Sequence, residues 1–265
     1  PLFSQIALTL AQSDGDAKRL AVLGFGGVRS VGNLKFDVPA PAADEAALAA
    51  FRQATAGREV FVAASTHEGE EAIVAAAHRR VRAARPQFMT VVVPRHPVRG
   101  PAIRDALAAE GLSVALRSAG DALGAATDVY VADTLGELGL FYRAAPVAFV
   151  GGTLVPVGGH NPIEAALLGA AILHGPAVAN AAEIYAALDR GNGMPPVTGA
   201  DDLAAALLAL YADPGAIAEA AARGTAALAP YAGALDATLS ALAPWLEPLG
   251  MAARARAAAG AARAS

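Results

Sequence analysis

The chain has 265 residues, no cysteine, 55% hydrophobic residues and a formal net charge of −4 at pH 7. That length holds one large or two medium domains with a sizeable core. The absence of cysteine excludes disulfides and thiolate metal sites, and the lack of a basic tail or of interleaved basic and aromatic residues argues against a nucleic-acid partner.

No window reaches the roughly 18 uninterrupted apolar residues of a membrane span, and no signal peptide is evident. Ile6–Ala11 is predicted as a strand. Asp14–Leu23 follows as a short helix capped by Ser13 or Asp14, and Val28–Phe36 as a second strand. The run V-P-A-P-A-A at 38–43 has no periodicity and reads as a linker. Two strands and a helix are too little for a domain. They read as the remnant of one whose body lies upstream, an expectation that suits a chain opening on Pro1.

Beyond the linker, helices and strands alternate. Helix Asp44–Thr55 leads to strand Val60–Ala64, helix Glu70–Ala84 to strand Met89–Val93, and helix Ala102–Glu110 to strand Ser113–Leu116. Strand Asp128–Ala132, helix Gly136–Ala144, strand Val147–Val150, helix Pro162–Leu168 and strand Ala171–Leu173 follow. Helix Ala181–Asp189, a short strand near Met194–Val197, helices Asp201–Tyr211 and Pro214–Leu228, and further helix complete the chain. Such alternation predicts an α/β domain, a parallel sheet with helices on both faces. Ligands of such sheets bind beyond the carboxyl ends of the strands.

Polar clusters fall at those ends: Ser65–Glu71, Pro94–Pro97, Asp133–Gly139, Phe149–Glu164 and His174–Glu183. In Phe149–Glu164 an apolar strand runs into the pairs Gly151–Gly152 and Gly158–Gly159. Asn161 then stands where an N-cap belongs, with Pro162 at the first helical position. Free N–H groups and the dipole there attract a phosphate. The same pattern equally describes a plain capped helix, with Glu164 closing a capping box. Arg95, stiffened with His96 between two prolines, suits a phosphate through charge-assisted hydrogen bonds, the alternative being an ordinary surface arginine.

Gly136, Glu137 and Leu138 open a helix whose N–H groups are free. Ser65, Thr66 and Glu68 either cap the next helix or face substrate, with Thr66 and His67 as hydrogen-bonding groups. His160 reads as a ligand contact or a structural histidine, and His174 as structural. Asn180 and Glu183 repeat the N-x-x-E spacing of Asn161 and Glu164. The run His78–Arg85 reads as a solvated helix face, with contact to an anionic membrane as the sharper alternative. The five histidines lie far apart in sequence without short ligand spacings, so no metal site is expected.

Together G-N-L-K-F-D (32–37), A-A-S-T-H-E-G-E-E (63–71), V-P-R-H-P (93–97), D-T-L-G-E-L-G-L-F-Y (133–142), F-V-G-G-T-L-V-P-V-G-G-H-N-P-I-E (149–164) and H-G-P-x-x-x-N-x-x-E (174–183) form an ordered set. The set resembles the 3-deoxy-D-manno-octulosonic acid (Kdo) transferase family of lipopolysaccharide core synthesis, from about Leu2 to Leu246. The resemblance implies a GT-B glycosyltransferase with two Rossmann-like domains. Residues 1–37 would be the tail of the acceptor domain and 38–43 the linker. Residues 44–246 would bind the donor CMP-Kdo, and 247–265 would form an Ala-rich helical tail.

It further implies donor-nucleotide contacts at Pro94, Arg95, His96, Leu135, Gly136, Glu137, Gly159, His160, Asn161, Pro162, Ile163 and Glu164, with Glu164 on the ribose hydroxyls. Ser65, Thr66, His67, Glu68, Asn180 and Glu183 would line the cleft. The reaction would be inverting and free of metal and cofactor, with the general base supplied upstream of this chain, which alone would be inactive. The acceptor would be a lipid A precursor, reached through the missing domain. The full-length protein would sit at the cytoplasmic face of the bacterial inner membrane, this fragment being soluble. Val157 departs from the family, which often has a basic residue there, and Ala177 and Ala181 replace a common His and Phe. Another GT-B transferase or epimerase with a UDP-type donor, or a non-catalytic nucleotide-binding module, are the competing readings.

Overall fold

In this computed structural model residues 2–37, 39–192 and 194–263 are described. They form two compact units: one gathers the chain up to Pro39 with the chain from Tyr231 on, and the other is Ala40–Pro230.

The first unit pairs β1 (Thr9–Ala11) in parallel with β2 (Val28–Ser30) through α1 (Asp14–Val22). Ser13 is the N-cap, its hydroxyl accepting the Asp16 N–H at 3.1 Å. Both expected strands are shorter than their apolar runs. After β2 the chain turns at Gly32 (φ +86°), and the Asn33 side chain accepts the Lys35 N–H at 3.0 Å, starting a 3-10 turn at Leu34–Phe36. The Asp37 carboxylate accepts the Gly233 and Leu235 N–H groups at 2.6 and 2.5 Å, at the start of the last helix, Ala234–Arg263. That helix runs through position 246, so the expected donor-domain boundary does not coincide with the compact unit, which ends at Pro230.

The second unit contains α2 (Glu45–Ala54), β3 (Glu59–Thr66), α3 (Glu70–Ala84), β4 (Phe88–Pro94), α4 (Gly100–Ala109), β5 (Val114–Leu116) and β6 (Val129–Val131). It continues with α5 (Leu138–Ala144), β7 (Val147–Val150), α6 (Ile163–Leu167), β8 (Ala171–His174), α7 (Ala182–Asn192), α8 (Ala200–Ala212) and α9 (Pro214–Leu228). The six strands are parallel, in the order β5-β6-β4-β3-β7-β8. Phe61–Ala64 and Val147–Val150 are at most 1% exposed, the unbroken burial of central parallel strands. β3 and β7 are neighbours, yet the chain leaves β3 toward β4 and leaves β7 toward β8 on the other side. This is a topological switch point, and the crevice at its carboxyl end is where ligands bind in open α/β sheets.

The expected strand near Met194–Val197 is absent. Pro195 and Pro196 have no N–H to give a ladder, while the Val197 N–H bonds the end of β8, at 2.9 Å to the His174 carbonyl. The His78–Arg85 run is a solvated face only in part, at Arg80, Ala83 and Ala84. His78 and Val81 are buried, and Arg79, Arg80, Arg82 and Arg85 pair with Glu110, Asp201, Asp128 and Glu59. Those pairs neutralise the charge that a membrane contact would need. The described part of the linker packs closely on α5: a side chain on Gly139 would meet the Pro41 and Ala42 carbonyls at 2.6 and 2.4 Å.

Candidate functional site

The carboxyl end of the switch point is built on one buried carboxylate. Glu70 is 0% exposed and accepts four main-chain N–H groups: His67 at 2.9 Å, Gly152 at 2.7 Å, Thr153 at 3.1 Å and Leu154 at 3.0 Å. It ties the loop after β3 to the glycine turn after β7. Glu71 is also buried, accepting both Arg99 nitrogens at 2.8 and 3.1 Å and the Thr66 hydroxyl at 2.9 Å. β3 ends in a bulge between Ala64 and Thr66, with Ser65 at φ +57°. A non-glycine residue in that region is strained and marks a constrained site.

A cavity of about 280 Å³ opens beside this knot. Ser65, Pro94, Arg95, Leu135, Gly136, His160, Asn161 and Glu164 of the expected set line it, with Val93, Pro97, Thr134, Leu138 and Tyr142. Thus four loops, after β3, β4, β6 and β7, meet as the sequence predicts. Glu164 is half-buried, and burial raises its pKa; no hydrogen bond or ion pair among the described residues engages its side chain. Nor does Arg95 meet an acidic partner among them. The buried Tyr142 hydroxyl is likewise raised by burial and by the Glu164 charge.

Other expected residues serve the protein itself. Thr66 is 0% exposed and spends its hydroxyl on Glu71. Glu137 is locked by the Arg117 guanidinium and the Thr134 hydroxyl, and the Arg117 bonds lower its pKa. Asn180 bonds the Val157 and Gly159 carbonyls at 3.0 and 3.3 Å, and its own N–H meets the Gly158 carbonyl at 2.8 Å, so it clamps the second glycine pair. Glu183 and Glu68 are exposed and away from the cavity wall. Gly159, Pro162 and Ile163 are buried behind Asn161 and Glu164.

The cap geometry also differs from expectation. Helix α6 begins at Ile163, Pro162 precedes it, and Asn161 accepts the Ile163 N–H at 3.1 Å. Glu164 closes no capping box among the described bonds. The first glycine turn offers no free donors to a ligand at Gly152, Thr153 and Leu154, whose N–H groups belong to Glu70.

His67 and His160, distant in sequence, meet with Nε2 atoms 2.7 Å apart and rings 7° from parallel. Burial lowers both pKa values, that of His160 to about 4. His96 stands edge-on to His67 at 5.9 Å. His174 is buried and bonded to Asp189 at 2.9 Å and to the Gly175 carbonyl, as a structural histidine should be. Glu70 and Tyr142 escape sequence reasoning. The first looks like an ordinary first-turn acid and the second lies mid-helix.

No protein-family model matches the chain. It is 41% identical over 244 residues to the 3-deoxy-D-manno-octulosonic acid transferase of Bordetella pertussis, covering 89% of this chain and 56% of that protein. It is 34% identical over 250 residues to the Haemophilus influenzae enzyme of the same name, covering 93% of this chain and 58% of that protein. The solved C-terminal CMP-Kdo binding domain of WaaA from Acinetobacter baumannii is 30% identical, with a TM-score of 0.65, and the match covers all of that domain and 74% of this chain. The chain belongs to the Kdo transferase family. It spans little more than half the length of the curated relatives. An α,α-trehalose-phosphate synthase from Burkholderia vietnamiensis, 19% identical with a TM-score of 0.54, shares the GT-B glycosyltransferase fold. Pro94, Arg95, Leu135, Gly136, His160, Asn161 and Glu164, expected as donor contacts from the sequence, line one cavity.

Proposed function

We propose that this chain is the donor-binding half of a Kdo transferase, which moves Kdo from CMP-Kdo to a lipid A precursor. The observation that carries the reading is the presence, in one switch-point cavity, of an exposed guanidinium, Arg95, and a half-buried carboxylate, Glu164, neither of which has an ion-pair partner among the described residues. A nucleotide offers the complement of each: a phosphate for Arg95 and ribose hydroxyls for Glu164. Pro94, Leu135 and Gly136 border the same space. Gly136, at φ +81°, leaves that side open.

Transfer needs a base at the acceptor hydroxyl. Glu70, Glu71 and Glu137 are committed to N–H groups and arginines, and Glu164 is assigned to the ribose. We therefore assign no base within these residues, and expect the chain alone not to transfer Kdo. The family resemblance supports an inverting, metal-free reaction, in which Arg95 stabilises the leaving CMP. It likewise supports work at the cytoplasmic face of the inner membrane. Among the described residues no single helix is long and apolar enough to cross a membrane.

Calorimetric titration tests the donor assignment. CMP should bind, and UDP should bind more weakly. Tighter binding of UDP would overturn the assignment.

A further inference from the structure

Three imidazoles, His67, His96 and His160, gather beside Arg95, and among the described residues none of the three rings is bonded to a carboxylate. A bond between two ring nitrogens needs one N–H and one lone pair, so the His67–His160 contact at 2.7 Å holds a single proton. The two carboxylates nearest the pair, Glu70 and Glu71, are spent: Glu70 on four N–H groups, Glu71 on Arg99 and Thr66. The other charges felt by the pair, from Arg95, Arg99 and His96, are positive. The remaining histidines differ. His78 and His174 face Asp128 and Asp189 at 3.7 and 2.9 Å.

Resting on the donor reading above, the ligand carries two anionic groups, a phosphate diester and the carboxylate of an octulosonic acid. One unpaired guanidinium suits the first. We infer that His67, His96 and His160 form a subsite for the carboxylate of the donor's sugar, and so select an acidic sugar over a neutral one. The carboxylate accepts imidazole N–H bonds and draws one proton from solvent onto the His67–His160 pair. That proton is disfavoured in the free protein because burial penalises the charged ring, an effect that outweighs the pull of Glu70 and Glu71 on His67. Binding of the acidic sugar is thereby linked to proton uptake, and weakens as pH rises.

The test is calorimetric, on the whole chain, with CMP-Kdo and with the methyl phosphodiester of CMP, which has the same single phosphate charge and no carboxylate. At pH 7 CMP-Kdo should bind at least about tenfold tighter, a difference of about 1.4 kcal/mol. The ratio should grow from pH 8 to pH 6, and should shrink to about threefold or less in His67→Gln and His96→Gln. The ratio is taken within each variant, so a general loss of affinity does not imitate the effect. The wild-type pH series does not depend on any variant folding. A pH-independent ratio, or a ratio unchanged in both variants, would overturn the subsite. Failure of both ligands to bind would overturn the nucleotide reading, and the subsite with it.

Discussion

The Glu70 carboxylate accepts the Gly152 N–H at 2.7 Å across 82 residues of sequence. With the Thr153, Leu154 and His67 bonds, it makes the glycine turn a receptor for an internal anion. The turn looks like a phosphate cradle because it is one in chemical type: successive N–H groups around negative charge. The protein fills it with its own carboxylate. Ligand recognition is left to the side chains held in place around it.

Replacing Glu70 by Gln keeps the size and removes this fit. One carboxamide oxygen serves two donors, and the –NH₂ faces the other two N–H groups. Two buried donors left unsatisfied cost about 1–3 kcal/mol each. Glu70→Gln should therefore lose roughly 2–4 kcal/mol in urea unfolding at pH 7, after some relaxation. A loss below about 1 kcal/mol, the scale of one ordinary hydrogen bond, would show that the four bonds are not jointly required.

Gly151 passes so close to β3 that a Cβ would lie 2.5 Å from the Ser65 carbonyl oxygen and 2.9 Å from that of Ala64. Both obstacles are backbone. Gly151→Ala should cost at least the roughly 1–3 kcal/mol of an overpacked core and displace the bulge that carries Ser65. Thermal unfolding with CMP titration reads both effects. Wild-type Tm and affinity in the variant would contradict the close approach.

The sheet was legible because its central strands are unbroken apolar runs, and Val147–Val150 emerges with the boundaries read from the sequence. The strand expected at 194–197 was not, because apolar character outweighed the missing donors of Pro195 and Pro196. In the site, that Arg95, Asn161 and Glu164 come together around one cavity was legible from the strand-end positions of their loops. The roles of Thr66, Glu137 and Asn180 were not, because their partners Glu71, Arg117 and the Val157–Gly159 backbone are matters of side-chain direction. A motif shows that a residue type is needed at a position. Whether ligand or protein uses it depends on three-dimensional neighbours.

Glu164→Ala should weaken CMP about 10- to 100-fold, the equivalent of losing charged hydrogen bonds worth about 1.5–3 kcal/mol. A cycle with 2′-deoxy-CMP locates the contact. The deoxy ligand should bind more weakly than CMP to the wild type and about equally to the variant. Equal penalties for the deoxy ligand in both proteins would remove Glu164 from the ribose.

His78 sets a pH dependence away from the site. It is 1% exposed, its Nδ1 lies 2.9 Å from the Thr90 hydroxyl, and burial lowers its pKa from 6.5 to about 4, against the smaller opposing pull of Asp128. The unfolded chain binds a proton here near pH 6.5 and the folded chain only near pH 4. Stability from this group is therefore complete above pH 6.5, falls as the pH drops toward 4, and is gone below it. The span is worth about 3 kcal/mol at 1.36 kcal/mol per unit. His78→Phe loses the Thr90 bond at every pH, so its absolute stability is uninformative, but its slope is not. Urea unfolding from pH 7 to pH 4 should show a shallower decline in the variant than in the wild type. Parallel curves would mean that His78 is protonated in the folded protein.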